Sequence, residues 1–263
     1  MYDRSSPFTS PQPPGPTAKS AVALQVLRHA VLTCELAPGA AFSEVEVETR
    51  YRLGRAGVRA ALQVLVAEGL VAPLPRQGWQ AKPITGAFIG DVITARRQAE
   101  AAITYVELTA SERERVQTLV TLAAALAGRQ DPQALVTARV TDRQILDILA
   151  ARTNWFQRKW LRELWDHSQR VVSFLESGEV QYRPLSREGL FEALAASDHA
   201  GATAEILREV DHLETFVSCA LLRHPDAVLG QSQKRSARRS RVQKLTSSAG
   251  KGSRGEPRST VKS

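Results

Sequence analysis

The 263-residue sequence has little cysteine and no long apolar run. Its two cysteines, Cys34 and Cys219, are too few for a disulfide framework, so a reducing cytoplasm is the natural expectation. No apolar stretch approaches the ~18 residues that a membrane span needs. The first residues also lack the apolar segment of a secretory signal. We therefore expect a cytoplasmic protein with no membrane partner.

Sequence motifs of enzymes are missing as well. There is no pairing of a nucleophile with a base, no phosphate-binding glycine loop and no HExxH motif. Five scattered histidines show no spacing typical of metal ligands: His29, His167, His199, His212 and His224. The sequence therefore predicts neither an enzyme nor a cofactor. With 43% hydrophobic residues it does predict a packed core.

Positive charge is concentrated at one end of the chain. Residues 231–263 hold ten Lys or Arg against the single acid Glu256, a net charge of +9, whereas the other 230 residues have 25 basic and 26 acidic side chains. A segment of this composition attracts polyanions with little sequence preference, or it serves only to keep the chain solvated. The folded part of the protein has no basic excess of its own.

Composition divides the chain into four parts. Residues 1–18 contain five prolines and predict a disordered leader, and residues 226–263 predict a disordered basic tail. Residues 19–84 combine short helical patterns with a segment rich in Gly and Pro. Residues 86–225 are rich in Ala and Leu with helical spacing throughout. We expect a mainly α protein with two folded domains.

The first domain shows the element order of a winged helix-turn-helix. Ser43 and Glu46 form a capping box that predicts a short second helix, and Gly54 precedes a third. Arg55 and Arg59 lie one turn apart on the polar face of the third helix. Two short strands around Gln77-Gly78 then predict a wing. In such domains the third helix enters the major groove of DNA. The alternative is a small helical domain with two solvated arginines.

The stretch from about Leu27 to Pro83 resembles the DNA-binding domain of GntR-family transcriptional regulators. It contains Glu-Leu-x-Pro-Gly, Ser-Glu-x-Glu, Val-Arg-x-Ala-Leu-x-x-Leu-x-x-Glu-Gly-Leu-Val and an Arg-x-Gly wing. The resemblance implies binding to double-stranded operator DNA as a homodimer, with repression as the common mode. The candidate DNA contacts are Arg50, Arg55, Arg59, Arg76 and Gly78.

The start of the third helix departs from the family pattern. Members of the family usually have Ser-Arg-Thr-Pro-Val-Arg here, whereas this chain has Gly-Arg-Ala-Gly-Val-Arg at 54–59. Both arginines are retained, but the hydroxyls that anchor phosphates and the proline that preorganises a helix start are lost. We therefore expect an operator that differs from the family's usual one.

The second domain predicts about six helices arranged as an antiparallel bundle, with approximate spans 88–108, 112–128, 132–151, 155–177, 186–196 and 199–222. Four aromatic residues gather on the fourth of these helices. They form part of the core and of a dimer interface, or they line a ligand site: Trp155, Phe156, Trp160 and Trp165.

This domain resembles the all-helical, FCD-like effector domain of the FadR-type branch of the family. The resemblance implies an effector site at Arg97, Asp142, Arg187 and Glu209. Many members of that branch hold a metal through one Asp and three His. Here the Asp is Asp142, while the His positions are Leu146, Arg187 and Glu209. Since Leu and Arg are not metal ligands, we predict no metal, although a relocated site using His212 is an alternative.

Arg187 has two possible roles in such a site. It could bind a small carboxylate effector through two hydrogen bonds, or it could pair internally with Asp142 or Glu209 and fill the site. The leading hypothesis for the whole chain is a transcriptional repressor controlled by a small carboxylate. The competing hypothesis is a nonspecific DNA-binding protein that depends on its basic tail.

Overall fold

A computed structural model describes residues 18–176 and 180–223 of the chain. The predicted leader, residues 1–18, and the predicted tail, residues 226–263, lie essentially outside this range. The described chain divides into two compact units. One contains residues up to Pro83 together with Asp147–Phe174, and the other contains Ile84–Leu146 and the residues from Leu175 onward.

The first unit contains a winged helix-turn-helix. Its elements are α1 (Ala18–Leu32), β1 (Ala41–Phe42), α2 (Glu44–Tyr51), α3 (Arg55–Ala67), β2 (Val71–Leu74) and β3 (Gly78–Ala81). The capping box predicted at Ser43 and Glu46 is present, and it starts α2. The predicted hairpin pairs Leu74 with Gly78 and Val71 with Ala81 in an antiparallel register.

Strand β1 was not predicted from the sequence. It pairs antiparallel with β3, with Phe42 opposite Trp79, so that β3 lies in the middle of the three-stranded sheet. A two-residue strand is too short to show the alternation by which strands are recognised in a sequence. The core of this unit includes the fully buried Leu27, Leu62 and Leu65 from α1 and α3.

The helices that follow are α4 (Gly86–Ala99), a 3-10 turn (Glu100–Tyr105), α5 (Ala110–Leu126), α6 (Pro132–Ala151), α7 (Trp155–Leu175), α8 (Glu188–Ala195) and α9 (His199–Arg223). Their bounds lie close to the predicted spans, except that the first predicted helix changes to a 3-10 turn at Glu100. Asp131 and Asn154 accept hydrogen bonds from the backbone in the first turns of α6 and α7.

The predicted fold class, a winged helix-turn-helix followed by a helical domain, is confirmed. The first unit differs from the domain bounds expected from the sequence, because it also contains residues 147–174, which comprise the end of α6 and nearly all of α7. Buried residues of the second unit include Ile103, Ile145, Ile206 and Leu213. Within the described residues, no helix is both long and apolar enough to cross a membrane.

Candidate nucleic-acid interface and buried charge cluster

The solvent-facing side of α3 carries the two arginines predicted to read DNA. Arg55 is the first residue of the helix and Arg59 follows one turn later, and both side chains are exposed. The opposite side of α3, with Val58 and Leu62, is buried in the core of the first unit. The helix therefore presents its cationic groups to solvent on a rigid, well-packed element.

One carboxylate contacts the second of these arginines. Glu44, the first residue of α2, accepts hydrogen bonds from Nη2 of Arg59 at 2.9 Å and from its Nε at 3.4 Å. The Trp79 side chain on the wing strand β3 makes a smaller contribution to the lowered pKa of Glu44. The hydrogen bond from Arg59 and the charge of nearby Arg55 lower the pKa of Glu44, although partial burial opposes the shift. The ionised Glu44 thus joins α2 to α3.

The remaining candidate DNA contacts have different surroundings. Arg76 is exposed at the tip of the wing with a φ of +63°. Arg50 is also exposed, and its Nη2 donates to Glu35 at 2.7 Å. Gly78 has a φ of +92°, and a Cβ there would lie 2.6 Å from the carbonyl oxygen of Phe42. The glycine is therefore required for the close approach of β3 to β1, whether or not it contacts DNA.

An ion-pair network in the first unit links α1, the end of α3 and α7. Arg28 donates to Glu68 at 2.5 Å and to Asp166 at 2.8 Å. The Nε2 atom of His167 lies 3.1 Å from the carbonyl oxygen of Glu68, the residue that ends the recognition helix. This network was not predicted, because no local sequence pattern shows that Asp166 of α7 lies beside Arg28 of α1.

A second arginine of α7 is fully buried. Arg170 has 0% of its surface exposed, and its Nη2 donates to the carbonyl oxygen of Lys82. Its Nε and Nη1 have no hydrogen-bond partner among the described residues. Burial lowers the pKa of Arg170 to about 10, although the nearby Cys34 opposes the shift.

Three of the four predicted effector-site residues lie together inside the second unit. Arg187 donates from Nε to Oδ1 of Asp142 at 2.6 Å and from Nη2 to Oδ2 at 3.3 Å, and it lies 3.7 Å from Glu209. Glu209 also accepts hydrogen bonds from the hydroxyl of Tyr182 and from the backbone N–H of Leu185 at 3.1 Å. We call Asp142, Tyr182, Arg187 and Glu209 the Arg187 cluster.

The Arg187 cluster is almost closed to solvent, with Arg187 only 4% exposed. Burial disfavours the charged guanidinium, but the charges of Asp142 and Glu209 outweigh this effect and raise the pKa of Arg187. Burial and the charge of Glu209 likewise raise the pKa of the Tyr182 phenol, so it stays a hydrogen-bond donor. Of the two roles considered for Arg187, the structure has the internal ion pair.

The fourth predicted residue, Arg97, has other partners. It pairs with Asp211 at 2.6 Å and with Glu214, and all three side chains are at least one-third exposed. The neighbouring Arg96 is buried instead and bonds to the buried Glu100 at 2.5 Å. Burial opposes the charged form of Arg96, but the acidic groups around it, Glu100 above all, together outweigh this effect and raise the pKa of Arg96. The charge of Glu209 makes a smaller contribution in the same direction. Of these two neighbouring arginines, Arg96 is buried and the predicted Arg97 is partly exposed.

The four aromatic residues of α7 separate into two groups. Trp165 is buried, whereas Trp155, Phe156 and Trp160 are 65%, 59% and 57% exposed. The Trp155 and Phe156 rings meet edge to face with centroids 4.9 Å apart. The interpretation as core is therefore correct for Trp165 and wrong for the other three. Their place in a dimer interface stays a prediction.

Comparison with known proteins decides the family of the winged helix. Residues 19–80 match the family model described as bacterial regulatory proteins, gntR family. Residues 19–80 form a GntR-family domain. A curated relative from Streptomyces ambofaciens, described as an uncharacterized HTH-type transcriptional regulator in unstable DNA locus, is 40% identical over 74 residues. That alignment covers 28% of this chain and 31% of the relative, so it spans about a third of the relative's length.

Two solved structures share the fold over most of their length. E. coli McbR/YncC superposes with a TM-score of 0.61 at 17% identity and covers 79% of this chain and 99% of its own. A putative transcriptional regulator GntR from Rhodococcus sp. RHA1 gives a TM-score of 0.57 at 22% identity, covering 78% and 98% of the two chains. The overall fold is therefore shared with GntR-type regulators beyond the DNA-binding domain.

The start of α3 shows what replaces the usual GntR residues. Gly54 is the N-cap residue and has no side chain to bond the exposed backbone N–H groups of the helix. Gly57 takes the position of the family's proline, and a Cβ there would lie 3.3 Å from the Cβ of Ala23 on α1. The glycine therefore lets α1 pack closely against the recognition helix.

The Arg187 cluster does not suit the metal that the FadR-type resemblance implies. Both oxygens of Asp142 bond to Arg187, and both oxygens of Glu209 accept from protein donors. His212, the alternative ligand, is bonded to the carbonyl oxygen of Arg183 at 2.9 Å. Among the described residues no group of three His, Cys, Asp or Glu is placed to hold a metal. The guanidinium of Arg187 supplies the positive charge beside Asp142 and Glu209 that a metal ion would otherwise supply.

Proposed function

We propose that this protein is a sequence-specific DNA-binding transcriptional regulator and not an enzyme. The observation that supports this proposal is the exposed pair Arg55 and Arg59 on the recognition helix of a GntR-family domain. A planar guanidinium donates two parallel hydrogen bonds to guanine O6 and N7, or to a phosphate, which suits both arginines to this task.

The regulator acts in the cytoplasm as a homodimer on an operator with two-fold symmetry. In a symmetric dimer the two recognition helices enter successive major grooves, so the half-site spacing follows from the protein's symmetry. Repression follows where the operator overlaps a promoter. The exposed aromatic side chains Trp155, Phe156 and Trp160 favour a protein partner, because isolated domains rarely expose three such rings together.

Selection of genomic DNA fragments tests the DNA-binding function. The full-length protein and a form truncated after residue 230 are compared at physiological salt. We expect both to enrich the same palindromic site, since the truncated form keeps the whole described structure. Arg55→Ala or Arg59→Ala should abolish the enrichment. Arg115→Ala, which removes an exposed cation from α5, should leave it unchanged.

The second candidate function is that of a nonspecific DNA-binding protein, which the +9 charge of residues 231–263 favours. It predicts no enriched site and binding that disappears when the tail is removed. That pair of results would overturn the proposal of a specific regulator.

We also propose that a small carboxylate modulates operator binding through Arg187. The support is a small cavity lined by Asp142, Arg183, Ser186 and Arg187 among alanine side chains of α5 and α6. A carboxylate that bound there would replace Asp142 as the partner of Arg187, so the ion pair would break when the effector binds. Arg187 would bond to Asp142 in the effector-free protein and to the carboxylate in the bound protein. Two such states are what a ligand-controlled equilibrium requires.

A panel of short mono- and dicarboxylates tests the effector. We expect one of them to raise the melting temperature of the wild type and to change its affinity for the selected site. Arg187→Lys keeps the positive charge but loses the two-point geometry, so it should weaken this response. A panel without effect on either quantity would contradict the effector, but not the DNA-binding function.

A further inference from the structure

Glu44 is an acid on a surface that has to approach DNA. Its charge repels phosphates, so general affinity for DNA does not explain it. An acid in the first turn of α2 interacts favourably with the helix dipole, and Glu46 is a second one there. The helix dipole does not account for the direct pairing of Glu44, 21% exposed, with Arg59 of the recognition helix.

The geometry of the ion pair suggests a role for Glu44. The Nε and Nη2 atoms form the side edge of the Arg59 guanidinium, and both donate hydrogen bonds to Glu44. The Nη1 atom has no hydrogen-bond partner among the described residues, and the Arg59 side chain is 59% exposed. The end edge, formed by Nη1 and the second N–H of Nη2, is therefore presented to solvent. This is an edge that can donate to guanine O6 and N7 together.

The acid is itself held in place. It is the first residue of α2, whose capping box at Ser43 and Glu46 is complete. Arg59 loses side-chain entropy to this pair before DNA arrives, so less is lost on binding. The carboxylate of Glu44 therefore couples α2 to the recognition helix α3.

We propose that Glu44 is the positioning residue that fixes Arg59 for reading one guanine, and so sets the base preference of the recognition helix. This inference depends on the proposed DNA-binding function. It assigns no direct base contact to Glu44. The negative charge of Glu44 lowers the protein's electrostatic affinity for DNA of any sequence. Its pairing with Arg59 increases discrimination at the base pair that Arg59 faces.

Glu44→Gln in the full-length protein tests the role, with Glu46→Gln as the matched control. The control removes the same charge two residues away, and glutamine still completes the capping box. We expect Glu44→Gln to reduce discrimination at one G·C pair about tenfold, the range of one bidentate contact. Affinity for random DNA should rise in both variants, because each loses a negative charge. Glu46→Gln should keep the full discrimination.

A double variant separates positioning from a merely structural effect. In an Arg59→Lys background, which keeps the positive charge but loses the two-point contact, Glu44→Gln should cause no further loss of the remaining discrimination, since its effect acts through the Arg59 guanidinium. An unchanged base preference in Glu44→Gln, with a wild-type site still enriched, would overturn this inference alone. The absence of any wild-type site would overturn the proposed function together with it. A drop in melting temperature that accompanies equal losses on all sequences would show a folding role instead.

Discussion

Arg187 and Asp142 form a two-point ion pair inside the second unit, with Nε to Oδ1 at 2.6 Å and Nη2 to Oδ2 at 3.3 Å. Removing one partner of a buried ion pair leaves the other charge without compensation, which costs about 3–5 kcal/mol. Glu209 lies 3.7 Å from the same guanidinium, so two carboxylates depend on it.

Arg187→Met should therefore lower the free energy of unfolding by about 3–5 kcal/mol, measured by urea denaturation. The matched control is Arg208→Met on the same unit, because Arg208 is exposed and, among residues 18–176 and 180–223, pairs only with Glu205 along its own helix. The control should unfold at the wild-type urea concentration. Equal midpoints for both variants would contradict a stabilising role for the Arg187 cluster.

The second prediction concerns metal ions. If the guanidinium of Arg187 takes the place of a cation, neither EDTA nor added Ni²⁺ or Zn²⁺ should change the melting temperature of the wild-type protein. The double variant Leu146→His with Arg187→His supplies imidazoles beside Asp142 and Glu209, which together make a plausible set of ligands. We expect it to melt lower than the wild type without metal and to recover part of the difference with Zn²⁺.

Leu146→His with Arg187→Met is the control for this rescue, because it loses the same ion pair but gains only one imidazole. It should respond to Zn²⁺ less than the double histidine variant. Stoichiometric metal in the purified wild-type protein, or a lower melting temperature in EDTA, would disprove the internal-cation interpretation.

Local patterns predicted most helices, because capping residues and apolar periodicity act over a few residues. The capping box at Ser43 and the polar face of α3 with Arg59 are examples. What was missed depends on distant parts of the chain. The pairing of Arg28 with Asp166 joins residues 138 positions apart, and no local pattern shows it. The pairing of Arg187 with Asp142 could be considered only because the family resemblance brought the two positions together.

The third prediction concerns the wing. Gly78→Ala should lower the melting temperature, because its Cβ would lie 2.6 Å from the carbonyl oxygen of Phe42 and its φ of +92° disfavours any side chain. We expect a cost of about 1–3 kcal/mol, the usual range for a strained backbone position. Gly90→Ala is the control, since that helical glycine has open space around it and alanine favours helix by up to about 1 kcal/mol. If Gly78→Ala instead lost only DNA affinity, the glycine would be a contact residue rather than a structural one.

The fourth prediction is a pH dependence that originates at His167. Burial, followed by the charge of Arg170, lowers the pKa of this imidazole below its ordinary value near 6.5. As the pH falls, the unfolded chain therefore binds the proton first, and protonation favours unfolding. The stability contributed by neutral His167 is complete above the unfolded pKa and is lost as the pH falls from there to the folded pKa. The loss cannot exceed about 1.4 kcal/mol per pH unit for one proton.

His167→Gln checks this prediction, because glutamine can still bond to the carbonyl oxygen of Glu68 but does not titrate. Melting temperatures of the two proteins are compared between pH 7.5 and pH 5.5. The wild type should lose more stability over this interval than the variant does, since only the wild type takes up the proton on unfolding. Parallel curves would mean that the imidazole has the same proton affinity in the folded and unfolded chains, and that its burial beside Arg170 has no consequence for stability.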